Sequence, residues 1–413
     1  MASSHDTSHL QLRGPLPCVL LLAFLFAFWS SPARAHDPSA WGGLFRSRDQ
    51  GATWFLANAG WFVGGAIALA ISPIDANHLL LATDSGLLRS RNGGRDWSVE
   101  APTVLVGAVF AAAFDAEGQR ALVSTGSGIF RTDEENSWRR VPAPDDAAPA
   151  RAIVRGSVAR RVYLAGWRGL SRSDDWGASW SPATDGLSEG STTALAVSPG
   201  PPETVYVIVG GKIWASTDGA RTWVSRTTGL PVIDVDILTV DSRDQARVWA
   251  AGADRLFRSD DRGEHWRLVG RPLPESNTAV RGIAASGNSI VLTTERGLYR
   301  SADGGQRWEL VIENLPAHLE AGPLVRDPAD AATLYAGFSL TPYPELWRRA
   351  AEGGGSLGRL NLSSLAGGAA FLILLTLGAV VAVRRLARYY QTPGGSGSAP
   401  QGQGHDRIGK TPR

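Results

Sequence analysis

Ser301-Ala302-Asp303-Gly304-Gly305-Gln306-Arg307-Trp308 decides the fold, because its pattern returns along the whole chain. Ser, Asp, Gly and Trp occupy the first, third, fifth and eighth positions. The same four recur at Ser47, Asp49, Gly51 and Trp54, at Ser173, Asp175, Gly177 and Trp180, and at Ser259, Asp261, Gly263 and Trp266. Two copies carry one change each. Ser90 to Trp97 has Asn92 for the Asp, and Ser216, Asp218 and Trp223 enclose Ala220 in place of the Gly. A worn copy, Thr132 to Trp138, is one residue short. The closing tryptophans are 41 to 43 residues apart, a period that marks one supersecondary unit copied in tandem.

Upstream of each box the unit reads the same way. A small apolar run such as Ala66 to Ile71 is followed by a turn, then by a β-branched run such as Thr204 to Val209. A Gly-containing turn then leads to Gly297-Leu-Tyr-Arg300 or its equivalent, the box comes next, and a last strand begins at the Trp. Short Val, Ile and aromatic runs punctuated by Gly, Asp and Pro are strands and turns. Four strands per unit of this length make a β-propeller blade. The box suits a tight connection between third and fourth strands: Ser and Asp bond back to the turn's own amides, and the Gly accepts a positive φ. A residue needed in every blade is part of the blade, which argues against reading the repeated acids as a metal site or as catalysts.

The octapeptide resembles the Asp-box, or bacterial neuraminidase repeat, of sialidases, sortilins, xyloglucanases and photosystem II assembly factors, over about residues 41 to 349. The resemblance implies an all-β, seven-bladed propeller with the boxes at the outer rim, on the face opposite the binding site. In length and single-propeller organisation the chain is most similar to the photosystem II stability/assembly factor family. That resemblance implies a docking platform with an Arg-rich patch, for which Arg139, Arg140, Arg151, Arg155 and Arg168 are the candidates.

Both ends of the repeat are incomplete. Gly43-Leu-Phe-Arg46 leads straight to the first box with no two strands before it. At the far end, Pro323 to Arg326, Ala332 to Ala336 and Glu345 to Arg348 read as first, second and third strands with no box after them. The expectation is a seventh blade assembled from residues 42–58 and 322–349, which closes the ring and removes its exposed edges.

Outside the propeller the sequence predicts an exported, anchored protein. Arg13 precedes an apolar run from Leu16 to Trp29, and Ala33 and Ala35 supply a small-residue cleavage site, so residues 1–35 read as a signal peptide. The single cysteine, Cys18, falls inside it, so the mature chain forms no disulfide and lacks the cysteine-rich module of sortilins. Residues 350–360 read as a Gly-rich linker. Residues 361–383 carry no charge and are long enough to span a bilayer. Arg384, Arg385 and Arg388 come directly after it, which puts the propeller outside and the 384–413 tail, read as disordered, in the cytoplasm. The expected location is the cell membrane, single-pass. With 41 basic and 39 acidic residues the net charge is +2, which gives no nucleic-acid footprint.

In a propeller the loops joining fourth to first strands and second to third share the face opposite the boxes. They place Trp61, Phe62, Arg140, Trp167 and Arg168 there, with Arg151, Arg155 and Arg281, along with Asp234 and Asp236, assigned to innermost strands. Trp61, Phe62 and Trp167 are either anchors for a partner or lids on the domain's own core. A sialidase needs an arginine triad, a Tyr nucleophile with its Glu, and an acid/base Asp. Its first Arg segment, Phe/Tyr-Arg-Ile-Pro, is missing, and most of the tyrosines lie in strand runs. A xyloglucanase-type cleft lies between two propellers, and this chain holds one. No metal-ligand spacing, phosphate loop or cofactor motif stands out. The sequence therefore points to a non-catalytic platform for other exported or membrane proteins. The alternative is a carbohydrate-active enzyme of the sialidase or glycoside hydrolase type on the same face, with Asp234 and Asp236 as its acids.

Overall fold

The computed structural model describes residues 42–352, apart from 134–136, 168, 189, 232–233, 242 and 317–318, together with 376, 378 and 380–384. Seven four-stranded antiparallel sheets succeed one another along the chain. Blade 1 runs from its innermost strand Ala66–Ile71 through Leu79–Thr83 and Gly86–Ser90 to Ser98–Glu100 at the rim. Blades 2 to 6 repeat this order, with innermost strands Val109–Phe114, Ala152–Arg155, Thr192–Ser198, Ile237–Val240 and Val280–Ser286. The innermost strand of each blade contacts that of the next, and the circuit returns to blade 1. All seven boxes link third to fourth strands, so the box face carries these links and the turns between first and second strands. The opposite, top face carries the remaining loops.

The closing blade takes its two inner strands, Glu320–Arg326 and Leu334–Ser339, from the C-terminal side and its two outer strands, Gly43–Ser47 and Phe55–Leu56, from the N-terminal side. The seam pairs Gly43 with Phe338, Phe45 with Ala336 and Ser47 with Leu334. The rings of Phe45 and Phe338 meet edge to face across it at 5.2 Å. The ring is thus closed by both chain ends, as the fragments predicted.

One expectation is corrected. Glu345 to Arg348 is not a third strand but part of a helix, α1 (Tyr343–Ala351). The third-strand slot is already filled by Gly43–Ser47, so this segment has no sheet edge to join. Pro342 and Pro344 lack the amides a ladder requires, yet a proline is tolerated in the first helical turn. Glu345 then pairs with Arg348 and Arg349 one turn on, each at 2.7 Å.

The core lies between blades rather than within them. In the second strand of blade 4, Val205, Val207 and Val209 pack toward blade 3, while Tyr206 and Ile208 pack toward blade 5. Alternation sends successive side chains to opposite faces, and here both faces are covered. That is why the run Thr204–Val209 is wholly buried and reads as unbroken apolar sequence.

Each intact box is a small hydrogen-bond network. At Ser47 the hydroxyl accepts from the Gly51 amide at 2.8 Å and donates to Asp49 Oδ1 at 2.8 Å. The Asp49 carboxylate then accepts from the Thr53 amide and hydroxyl at 2.9 and 2.6 Å. Boxes at Ser173, Ser216, Ser259 and Ser301 repeat the serine link at 2.6 to 2.9 Å. In the box at Ser259, Asp261, Glu264 and His265 offer ligand atoms within 4.8 Å of one another. His265 Nδ1 lies 2.7 Å from Asp261 Oδ2, in the place of the Thr53 hydroxyl, so the cluster belongs to the turn. The tryptophans stitch blades together. Indole nitrogens of Trp97, Trp223, Trp266 and Trp308 donate to Ala57, Ala183, Arg226 and Arg271 carbonyls of the preceding blade at 2.8 to 3.0 Å. At the worn box, Trp138 donates instead to the buried Glu100 carboxylate at 2.8 Å, which Arg89 also holds at 2.6 Å.

The box geometry can be tested in two ways. Ala220 occupies the box glycine position with φ +64, a left-handed conformation that a Cβ resists. Ala220→Gly is expected to raise stability by about 0.5–1 kcal/mol, read as a higher urea midpoint at unchanged slope. Gly177→Ala is expected to do the opposite, since its Cβ would also meet Leu122 Cδ2 at 2.8 Å. The second test is acid stability. Burial pushes the Asp175 and Asp261 carboxyls up, but hydrogen bonds from Ser179 and Ser173 at one, and from Ser259 and His265 at the other, outweigh it. Both are held at about 2. Their folded values lie below the ~3.9 of an unfolded Asp, so this stabilisation is complete above about pH 4 and lost as pH falls toward 2. The double variant Asp175→Asn/Asp261→Asn should show a shallower loss of stability over that window, because Asn92 already makes the same amide bonds without ionising.

Candidate functional site

The top face gathers most of the expected residues but divides them. Trp61 and Phe62 sit on the loop from the closing blade to blade 1. Buried Asn58 shapes that loop: its Oδ1 accepts from the Leu44 amide at 2.8 Å and its Nδ2 donates to the Trp61 carbonyl at 2.8 Å. With the backbone tied inward, both aromatic side chains are exposed.

Trp167 and Arg151 have a different environment. The Arg151 guanidinium lies 5.2 Å from the Trp167 ring and 5.3 Å from that of Trp347 on α1. Trp347 is buried against Phe110, ring to ring at 4.6 Å, and against Ile67, which belong to the innermost strands of blades 2 and 1. Tyr343, at the helix start, donates its hydroxyl to the Ala66 carbonyl, and its amide donates to Glu320 at 2.7 Å. Enclosure pushes that hydroxyl well up. Helix α1 therefore covers the inner ends of blades 1 to 3 on the top face. Among the described residues no carboxylate pairs with Arg151, and its buried Nε has no acceptor. The two rings take that place. Burial, reinforced by Arg281, holds Arg151 below the usual guanidinium value.

Arg281 lies on the innermost strand of blade 6 and pairs with Glu320 at 2.7 Å. The two border a depression of about 430 Å³ with Glu295, Arg296 and Leu340. Asp234 and Asp236 precede the innermost strand of blade 5 rather than lying within it. Burial pushes the Asp236 carboxyl up, with Arg281 opposing it and Glu295 and Asp234 adding to it. Arg140 borders a second top-face depression of about 430 Å³ with Pro142, Asp145 and the Gly126–Gly128 turn.

The expected arginine patch is not assembled. Arg155 ends its strand on the box face, where its Nη1 reaches the Asp115 carbonyl at 3.3 Å beside an 820 Å³ hollow. Arg139 pairs with Asp133 of the worn box at 2.9 Å. Arg151 lies beneath the helix, Arg140 stands apart, and Arg168 lies outside the described residues. What the sequence reading missed is α1 and its hold on Arg151 and Trp167. Its signal was present in Pro342 and Pro344 and in the Glu345, Arg348 and Arg349 spacing.

With this geometry in hand, the likenesses fall to one class. No family model and no curated protein matches the chain. Among solved structures it is similar to YCF48 bound to D1 peptide, with a TM-score of 0.52 and 16% identity over 68% of this chain and 94% of that one. It is similar to YCF48 from Cyanidioschyzon merolae, with a TM-score of 0.51 and 14% identity over 68% and 97%. It is also similar to the GH74 xyloglucanase from Xanthomonas campestris, with a TM-score of 0.53 and 19% identity over 70% of this chain but 55% of that one. At these identities the likeness shows the fold: a seven-bladed propeller of the kind found in YCF48 and in GH74 enzymes.

Trp347→Ala should free α1 without opening the ring. Losing a buried Trp costs about 3 kcal/mol, so hydrogen exchange of the 345–351 amides should speed up about a hundredfold, with faster tryptic cleavage at Arg348 and Arg349. A uniform gain in exchange over all blades would show instead that helix and ring unfold together.

Proposed function

We propose that this protein is a membrane-anchored, extracytoplasmic platform that binds other proteins through its top face and has no catalytic activity of its own. The observation that carries this reading is proportion. The chain spans nearly the whole of the YCF48 structures, one of them bound to a peptide, but about half of the xyloglucanase. The partner surface is the polar part of the top face, where Arg140 and Asp145 flank one depression and Arg281, Glu295 and Arg296 the other. Exposed charges around shallow hollows select a partner by complementary charge. The leader in residues 1–35 and the apolar stretch 361–383 support export and anchoring. The leader lies outside the described residues, as does most of the span. Among the described residues no helix is long and apolar enough to cross a membrane.

A carbohydrate-active enzyme is the second reading. It is favoured by one observation, the raised Asp236 carboxyl beside Glu295 and Arg281, since a general acid needs such a shift. The two readings part in one experiment. A photo-crosslinking residue replacing Arg140 or Arg296 in intact cells should yield a defined protein adduct, whereas one at Val224 on the outer rim should yield none. The purified full-length chain should turn over no xyloglucan or sialoside. Turnover abolished by Asp236→Asn, with no adduct at Arg140 or Arg296, would establish the enzyme instead.

A further inference from the structure

Helix α1 runs from the border of one top-face depression to the border of the other. At its start, Pro342 and Pro344 line the depression of Arg281, Glu295 and Arg296. At its end, Ala350 is seated against Gly126, where a Cβ would lie 3.8 Å from the Ala350 Cβ. Gly126 in turn lines the depression of Arg140 and Asp145. Beneath the helix lie Ile67 and Phe110 of two innermost strands, with Arg151 and Trp167 beside them. Without α1, these side chains and the two depressions would form one continuous groove across the inner ends of the blades.

The helix satisfies only half of that groove. The apolar half is filled, since Trp347 and Ala350 are buried and Tyr343 and Leu346 pack with them. The charged half is not. Among the described residues neither Arg140 nor Arg151 has a carboxylate partner, and the buried Arg151 Nε has no acceptor. A donor shut away from water without an acceptor is a cost that a better occupant removes. The acids of α1 do not meet it. Glu345 pairs with exposed Arg348 and Arg349, and Glu352 pairs with Arg348. Nor is the helix strongly capped, because Pro342 at its N-cap makes no side-chain cap bond.

We infer that α1 is an internal occupant of the partner groove, displaced by a protein segment that sets an apolar side chain against Ile67 and Phe110 and a carboxylate on Arg151. The inference rests on the platform reading and adds a gate and a partner class to it. Such a segment keeps the apolar contacts that Trp347 makes and adds a charge-assisted hydrogen bond that α1 lacks. A segment without the acid has no advantage over a helix already tethered beside its seat at high effective concentration. The helix therefore filters partners as well as covering the groove, because affinity for any of them falls with the fraction of chains in which the groove is open.

Cys18 is the only cysteine, and a Cβ separation of 3.8 Å suits a disulfide. In the full-length Cys18→Ser chain, Gly126→Cys with Ala350→Cys therefore locks α1 in its seat when oxidised and releases it on reduction. The probe is a fluorescent peptide copy of residues 342–352 carrying Ala351→Glu, which places an acid one turn beyond the Trp. The reduced chain should bind it at least about tenfold more tightly than the oxidised chain, and a Trp347→Ala chain more tightly still. The same peptide without Ala351→Glu should bind several-fold more weakly, and Arg151→Gln in the Trp347→Ala chain should erase that difference. Equal binding by the oxidised and reduced chains, no binding by either, or a disulfide that does not form would overturn the gate. Equal binding of the two peptides to the Trp347→Ala chain would overturn the acidic partner class. Neither result touches the platform, which stands on the crosslinked adduct at Arg140 or Arg296. Loss of that adduct, with no peptide bound by any form, would remove the platform reading and the gate with it.

Discussion

The structure depends on one antiparallel pairing, between Gly43–Ser47 and Leu334–Ser339. Every other sheet is made from residues close in sequence and forms as a local meander. A blade alone leaves both faces bare, however, and gains its core only from two neighbours. The seam supplies the last of these, joining segments almost 300 residues apart, so that the first and last complete blades are each covered. The same pairing removes the two free edges that an open array would expose. Loop closure over that length costs entropy that grows slowly with length, and the buried Phe45 and Phe338 pair offsets part of it.

The box serves the same end at the rim. Its serine and aspartate fold a turn that carries two successive residues in the left-handed region, as at Gln50 and Gly51 or Arg262 and Gly263. This turn delivers the tryptophan to the preceding blade. Where the box is worn, the delivery is kept and the acceptor changes. Trp138 finds the Glu100 carboxylate, which the Arg89 fork holds in a site with almost no solvent. A lone carboxylate buried that deeply would be costly, and the bidentate guanidinium is what permits it.

The top face is organised by the segment just beyond the last strand. Helix α1 stands where other blades carry a short turn, and it brings Trp347 over Arg151 and beside Trp167. Two residues that look like a ligand site in sequence are thereby spent on holding the helix. On the surface left exposed, apolar and charged side chains are interleaved: Leu340 borders the same depression as Arg281, Glu295 and Arg296. A propeller scaffold fixes such loops rigidly without dictating their chemistry, which is why likeness of fold to YCF48 and to GH74 enzymes leaves the activity to be argued from the loops.

The blade and its number were legible in the sequence because they rest on local chemistry repeated seven times, and the closure because the incomplete fragments at the two ends complement each other. Ser, Asp and Gly at fixed spacing make one turn, and β-branched runs between turns make strands. The burial of Trp54, Trp97 and Trp266 comes from that period. The site was legible only as a set of loops. Trp61 and Phe62 could be placed on the top face from sequence, but whether they were lids or exposed depended on Asn58 drawing the loop backbone inward. Arg140, Arg151 and Arg155 stand close in sequence, yet strand direction sends Arg155 to the opposite face and the helix takes Arg151. Leu346-Trp347-Arg348 follows the Leu-aromatic-Arg order of third strands such as Leu298-Tyr299-Arg300, and only the tertiary structure shows that its slot was already occupied. Strand pattern is a local property, whereas the availability of an edge to pair with belongs to the closed ring.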